Sequence, residues 1–312
     1  MILSEDRLYA VRDSFGFRPL VIGRRHNAHI VVSETCALDL IDGGFVREVE
    51  PGEVVEITSK NIISHFPGEQ RQPAFCSFEP IYFARPDSIV FGQLVYDQRK
   101  KMGQVLAREA PAPDADLVIA VPDSGVPMAT GFAEASGLKL ELGLVRNHYV
   151  GRTFIQPAQE IRDFGVKLKL NPVRGVLEGK SVVVVDDSIV RGTTSAKIIR
   201  MIRMAGARSI HLRIGSPPIT HSCFYGVDTP SRANLMAAQN QVEEIREMLG
   251  CDSLGYLSTK GLAEALLDRE KSKFCTACFT GHYPEKIHAD IPSAPTDTTG
   301  TGLTTPESII RI

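Results

Sequence analysis

Residues 181–195 read Ser-Val-Val-Val-Val-Asp-Asp-Ser-Ile-Val-Arg-Gly-Thr-Thr-Ser, and the fold follows from this stretch. The four consecutive valines, 182–185, are β-branched and apolar on both alternations, which predicts a strand buried on both faces of a parallel sheet. Two adjacent carboxylates, Asp186 and Asp187, follow at the strand end. A loop of mostly small residues, 188–194, then opens a helix. Gly192, Thr193 and Thr194 put backbone N–H groups and hydroxyls at a helix N-terminus, where a phosphate can sit. The acidic pair repels a phosphate but accepts hydrogen bonds from sugar hydroxyls, directly or through a divalent cation. Together the parts describe a site for a phosphorylated ribose. The competing reading is a plain βα turn with two solvated aspartates, which an isolated Asp-Asp pair would warrant.

The stretch resembles the phosphoribosyl pyrophosphate (PRPP) loop of type I phosphoribosyltransferases. The surrounding chain has the matching periodicity. Strands are expected at 117–121, 138–145 and 210–214, with helices at 126–136 (closed by Gly137) and 193–205 (closed by Gly206). Ile198, Ile199 and Ile202 mark the buried side of the second helix. This alternation is βαβ architecture, and ligands bind at such strand ends. Amphipathic helices are expected at 240–249 and 260–268. Upstream, short apolar runs at 8–11, 20–22, 30–32 and 54–57 alternate with turn residues, so residues 1–65 read as strand-rich. The tail 289–312, rich in Ser, Thr, Pro and Gly, reads as disordered.

A chain of 312 residues with net charge −2 and 43% hydrophobic content is an ordinary globular composition. It gives no case for nucleic-acid binding, no apolar run of membrane-spanning length and no N-terminal signal peptide. A cytoplasmic, reducing location is expected, in which six cysteines are thiols or metal ligands rather than disulfides.

Other groups carry weaker signals. At a second strand end, Asp123, Ser124 and Gly125 suit a pyrophosphate, and the Ser124 hydroxyl can reach a metal; alone this is a common turn composition. Segment 146–169 holds Arg146, Arg152, Arg162, Lys167 and Lys169, either a basic flap that closes over the site or a solvated surface loop. Cys275 and Cys278 form a CxxC, and Cys76 and Cys223 lie in loop-like stretches. Four thiolates suit zinc or an iron–sulfur cluster, and spacing does not choose between them; a redox CxxC would leave two thiols unexplained. Cys36 and Cys251, among apolar neighbours, read as small buried residues.

Beyond the loop, the stretches YAVRDSFGFRPL, CSFEPIYFARPDS, VPDSGVP, NHYVGRTFIQP, KLKLNPVRGVLEGK, SPPITHSCFYGVD and FCTACFTGHYP resemble the glutamine PRPP amidotransferases nearly end to end, from about residue 8 to 284. The resemblance implies an α/β type I phosphoribosyltransferase domain over 66–288, preceded over 1–65 by a strand-rich (α+β) remnant of an N-terminal-nucleophile glutaminase domain. The implied activity is the first committed step of purine synthesis, in which ammonia from glutamine displaces pyrophosphate from C1 of PRPP to give 5-phosphoribosylamine. On that analogy Asp123, Ser124, Gly125, Asp186, Asp187, Ser188, Val190, Arg191, Gly192, Thr193 and Thr194 contact PRPP. Ser124, Asp186 and Asp187 would hold Mg²⁺, and Tyr149, Arg152 and Lys169 belong to the closing flap. Cys76, Cys223, Cys275 and Cys278 match the positions that hold a structural [4Fe-4S] cluster in one subclass. Homo-oligomerisation and feedback by purine nucleotides are family expectations.

The family's glutaminase uses an N-terminal cysteine. Here the chain begins Met1-Ile2-Leu3-Ser4 and the first cysteine is Cys36. The expectation is a truncated glutaminase portion, no glutamine hydrolysis and a transferase that uses free ammonia. Two other readings compete: a non-catalytic binder of PRPP or purine nucleotides, which the intact acidic pair argues against, and a salvage base phosphoribosyltransferase, which would need neither the cysteines nor the N-terminal strands.

Overall fold

The computed structural model describes residues 1–147, 170–266 and 274–285. Its centre is a five-stranded parallel sheet with spatial order Lys139–Leu140, Leu117–Ala120, Ser181–Asp186, Ser209–Ile214, Ser253–Tyr256. Ser181–Asp186 is the middle strand and is buried throughout. The pleat sends its valines to two separate cores. Val183 and Val185 pack with Met102, Leu106, Met128 and Phe132, beneath helices Val95–Glu109, Val126–Ser136 and Thr259–Leu266. Val182 and Val184 pack with Ile198, Ile199, Ile202 and Ile245, beneath helices Thr193–Met204 and Val242–Leu249. Both faces are covered, which is why the sequence shows an unbroken apolar run rather than an alternation.

One expectation is corrected. Residues 138–145 are not one strand. Lys139–Leu140 belongs to the sheet, and Leu144–Arg146 leaves it to pair antiparallel with Leu170–Pro172. The chain turns away at Gly143, where a Cβ would lie 2.5 Å from Ile119 Cγ2, so only glycine passes here. Helix Val95–Glu109 was not visible in the sequence pattern at all; it crosses helix Val126–Ser136 at very close range. A Cβ on Gly103 would meet Met128 O at 1.9 Å, and one on Gly131 would meet Lys100 O at 1.9 Å.

The N-terminal residues form two small antiparallel sheets. Ile2–Leu3, Leu8–Val11, Val54–Ile57 and Ile62–His65 make one; Ala28–Val32, Val21–Arg25 and Gly44–Glu48 make the other. Ala10, Ile22, Val31, Val49, Val55 and Ile57 fill the space between them. The buried Arg12 guanidinium donates to the carbonyls of Arg18, Val49 and Gly16 and lies over the rings of Phe75 and Phe91. It ties this layer to the segment that precedes the α/β part. The proposed tail, 289–312, lies outside the described residues. Among the described residues no helix is long and apolar enough to cross a membrane.

Candidate active site

The C-terminal ends of the strands Leu117–Ala120 and Ser181–Asp186 open into one cavity of about 1440 Å³. After Ala120 the chain curls tightly: Val121 N–H donates to Val185 O, and Gly125 N–H donates to Val121 O. A Cβ on Gly125 would sit 2.7 Å from Val185 O, so this turn presses against the middle strand only because the residue is glycine. That brings Ser124 beside the acidic pair, and its hydroxyl donates to Asp187 Oδ2. Ser188 Oγ donates to Asp187 Oδ1 at 2.5 Å. Asp186 accepts the Asp187 N–H at 2.9 Å.

Both carboxylates are almost wholly buried, Asp186 at 8% and Asp187 at 5% exposure. Burial, and then the charge of Asp187, push the Asp186 carboxyl well above the usual carboxylate range. Burial also raises Asp187, while the Ser124 and Ser188 hydroxyls and the positive charge of Arg99 hold it down. No ion pair involves either carboxylate among the described residues. Two buried like charges without a contacting cation fit a divalent ion or sugar hydroxyls between them.

Gly192, with φ of +74°, turns the loop into helix Thr193–Met204. The loop is pinned by Met236 N–H donating to Val190 O at 2.9 Å. Ser188, Val190, Arg191, Gly192, Thr193 and Thr194 all line the cavity with Ser124, Asp186 and Asp187. Asp123 and Gly125 do not. The Asp123 carboxylate is ion-paired with Arg146 on the exposed side, and Gly125 packs on the strand. Tyr149, Arg152 and Lys169 lie outside the described residues.

The same cavity reaches Cys76, Cys223, Cys275 and Cys278. Strands Phe75–Cys76 and Phe274–Cys275 pair in parallel, with Cys76 directly opposite Cys275, and helix Ala277–Thr280 carries Cys278 next to them. Burial pushes the Cys76 thiol up to about 12, with the Glu79 charge adding to it, and raises Cys275 and Cys278 as well. All six cysteines are free, and Cys36 and Cys251 are buried. Among the described residues no three His, Cys, Asp or Glu are placed to hold a single metal ion.

Several lining residues carried no signal in the sequence pattern. Phe17, Phe78, Tyr82, Phe83 and Tyr225 form an aromatic part of the lining of the cavity that also holds the acidic pair and the thiols, and residues 227–231 line it as well. Their spacing follows no helix or strand period, because they converge from segments more than 60 residues apart.

A parallel sheet with an acidic pair at the end of its middle strand, followed by a glycine-turned loop that opens a helix, defines the class of type I phosphoribosyltransferases. No family model matches the chain. Curated relatives do: the chain is 56% identical over 302 residues to the amidophosphoribosyltransferase of Vigna aconitifolia, covering 96% of this chain and 62% of that protein. It is 48% identical to that of Bacillus subtilis, covering 93% and 61%. A solved glutamine PRPP amidotransferase from B. subtilis, complexed with ADP and GMP, superposes with a TM-score of 0.85 at 48% identity, covering 92% of this chain and 64% of that one. A second solved structure, described as the allosteric regulatory enzyme of purine biosynthesis, also gives a TM-score of 0.85. The chain belongs to the amidophosphoribosyltransferase family, and it spans about half to three-fifths of the length of the curated relatives it matches.

Proposed function

We propose that this chain transfers ammonia to C1 of PRPP, releasing pyrophosphate and giving 5-phosphoribosylamine in purine biosynthesis. The observation that carries the proposal is the buried pair Asp186 and Asp187, held by Ser124 and Ser188 in one cavity with the loop 188–194. In this reading Ser188, Val190, Gly192, Thr193 and Thr194 hold the 5-phosphate at the helix N-terminus. Arg191 supplies a positive charge at the cavity edge. Asp186 and Asp187 orient the ribose hydroxyls, and with Ser124 they would hold Mg²⁺. That ion would supply charge neutralisation for the leaving pyrophosphate. Ammonia is already nucleophilic, so the residues have to bind, orient and exclude water rather than remove a proton. The flap residues Tyr149, Arg152 and Lys169 are proposed to meet the pyrophosphate.

The four thiols fit a thiolate-bound centre by donor chemistry and shared burial. An iron–sulfur cluster is proposed in preference to zinc because the four cysteines match the positions that hold such a cluster in one subclass of the family. Its part is structural, joining residues 75–76 to 274–278. Homo-oligomerisation, control by purine nucleotides and a cytoplasmic location belong to the same proposal. Ammonium is the proposed nitrogen source for these residues.

The direct test is pyrophosphate release from PRPP and Mg²⁺, with ammonium, with glutamine, and with adenine, guanine or hypoxanthine as acceptors. Turnover with ammonium is expected. Fast turnover with a purine base would overturn the assignment, and binding of PRPP with no turnover would favour the non-catalytic binder. For the thiols, brown protein with about four irons per chain is expected, with colour lost in Cys275→Ser. Colourless protein holding one zinc would refute the cluster.

A further inference from the structure

Arg99 is 2% exposed, one of the most deeply buried side chains in the protein. Among the described residues it has no carboxylate within ion-pairing distance. Its guanidinium instead donates to two backbone carbonyls: Nε to Pro80 O at 2.7 Å and Nη2 to Ala84 O at 2.7 Å. These carbonyls belong to one short wide helical turn, Glu79–Phe83, and the residue that ends it. The turn has little to hold it. Ala84 N–H donates back to Glu79 O at 3.0 Å, and a single turn leaves most of its carbonyls without internal partners. Arg99 satisfies two of them, near either end.

The turn is also the aromatic wall of the cavity. Phe78, Tyr82 and Phe83 line it, and Tyr82 and Phe83 are 49% and 37% exposed, large aromatic rings turned to open space. Arg18 stacks on Phe83 and pairs with Glu79 from the other side, but it contacts side chains, not the backbone of the turn. The anchor behind Arg99 is rigid. Its helix, Val95–Glu109, is locked to helix Val126–Ser136 at Gly103 one turn further on.

We propose that Arg99 is a positioning residue: by clamping both ends of the 79–84 turn it holds Tyr82 and Phe83 where they keep water away from the sugar carbon as pyrophosphate leaves. The inference rests on the transferase reading above. In chemical terms, C1 of PRPP loses its bond to the pyrophosphate oxygen, which takes the electron pair. The electron-poor carbon is then captured either by ammonia, giving the amine and a released proton, or by water, giving ribose 5-phosphate and a proton. A wall that moves changes which nucleophile arrives and leaves PRPP binding largely alone.

The test compares the full chain with Arg99→Lys, which keeps the charge but loses the two-point fork, and Arg99→Gln, which can still donate to one carbonyl. Pyrophosphate release is measured with PRPP and Mg²⁺, with and without ammonium. The ratio of the rate without ammonium to the rate with it is expected to rise about tenfold in both variants, because a displacement of about 1 Å near a reacting centre costs on the order of a hundredfold. In Arg99→Lys, which keeps the charge that acts on Asp187, KM for PRPP is expected to stay within about twofold. Tyr82→Ala should reproduce the leak, and the double variant Arg99→Lys/Tyr82→Ala should leak no more than the worse single one. Folded Arg99 variants with an unchanged ratio overturn the proposal, as does an equal loss of both rates. If neither Arg99 variant folds, Tyr82→Ala with an unchanged ratio overturns it. Wild-type protein that releases no pyrophosphate with ammonium defeats the transferase reading itself, whereas an active wild type with unmoved ratios defeats only the role of Arg99.

Discussion

Asp187→Asn is expected to lower pyrophosphate release by a factor of about 10²–10⁴ while raising the melting temperature of the metal-free protein. The loss follows from the position of the carboxylate. Asp187 lies at the end of the middle strand with both oxygens already oriented by the Ser124 and Ser188 hydroxyls. A preorganised charge in a buried site contributes several kcal/mol of transition-state stabilisation, and each factor of ten corresponds to about 1.4 kcal/mol. The gain in stability follows from the same burial. Without a cation, two carboxylates share a desolvated site: burial pushes both carboxyls above the usual carboxylate range, and the charge of Asp187 pushes Asp186 further. Asparagine keeps the shape, accepts from one serine and donates to the other, and removes one of the like charges. The expected gain is about 1–2 kcal/mol, a few degrees for a chain of this size. Pyrophosphate assays and thermal melts of the metal-free proteins check both halves. A variant within tenfold of wild-type activity would remove Asp187 from the proposed chemistry; a lower melting temperature would mean that the hydroxyl contacts outweigh the repulsion. Activity and stability opposing each other at one residue is the usual mark of a site built for a ligand.

The second large effect is structural. Gly131→Ala is expected to destabilise the protein by about 3–5 kcal/mol, and Gly103→Ala by a similar amount, because overpacking against backbone has no local remedy. At Gly131 the new methyl would stand 1.9 Å from Lys100 O and 2.8 Å from Lys100 C. These atoms belong to the facing helix and cannot rotate aside, so the two helices must part. Parting them loosens Met102, Leu106, Met128 and Phe132 in a close-packed core. The effect reaches the site, since one helix begins directly after the Ser124 turn and the other carries Arg99. Gly175→Ala is the matched control. Nothing lies within 4 Å of its added carbon, so it should be neutral or slightly stabilising, by about 0.4–1 kcal/mol. Chemical denaturation of the three variants separates the outcomes, and a Gly131→Ala protein as stable as the control would contradict the close crossing.

The course of the chain shows where sequence information ends. The valine run at 182–185 needed no partner to be read, because a strand buried on both faces leaves no other pattern. The helix starting at Thr193 was legible from Gly192 and the triplet Ile198, Ile199 and Ile202, all of which are buried. Helix Val95–Glu109 was not. Its buried face includes Gln98, Arg99 and Gly103, so an apolar period cannot mark it. Arg99 is in the core because two carbonyls from residues 80 and 84 meet it there, and that is a property of the packing. The 138–145 run looked continuous because its residues suit a strand; Ile119, approaching Gly143 from another strand, is what ends it. The thiols divide the same way. Cys275 and Cys278 are linked by covalent spacing, whereas the pairing of Cys76 with Cys275 across 199 residues of chain exists only once the strands Phe75–Cys76 and Phe274–Cys275 lie side by side. By itself, then, the sequence determined what depends on neighbours along the chain: the strand, the acidic pair, the small-residue loop and the helix after it. The tertiary structure alone decided which distant groups share the cavity, that is, the aromatic wall, the Ser124 contact and the buried clamp of Arg99, because those contacts are selected by close packing and hydrogen-bond satisfaction between segments that carry no local trace of one another.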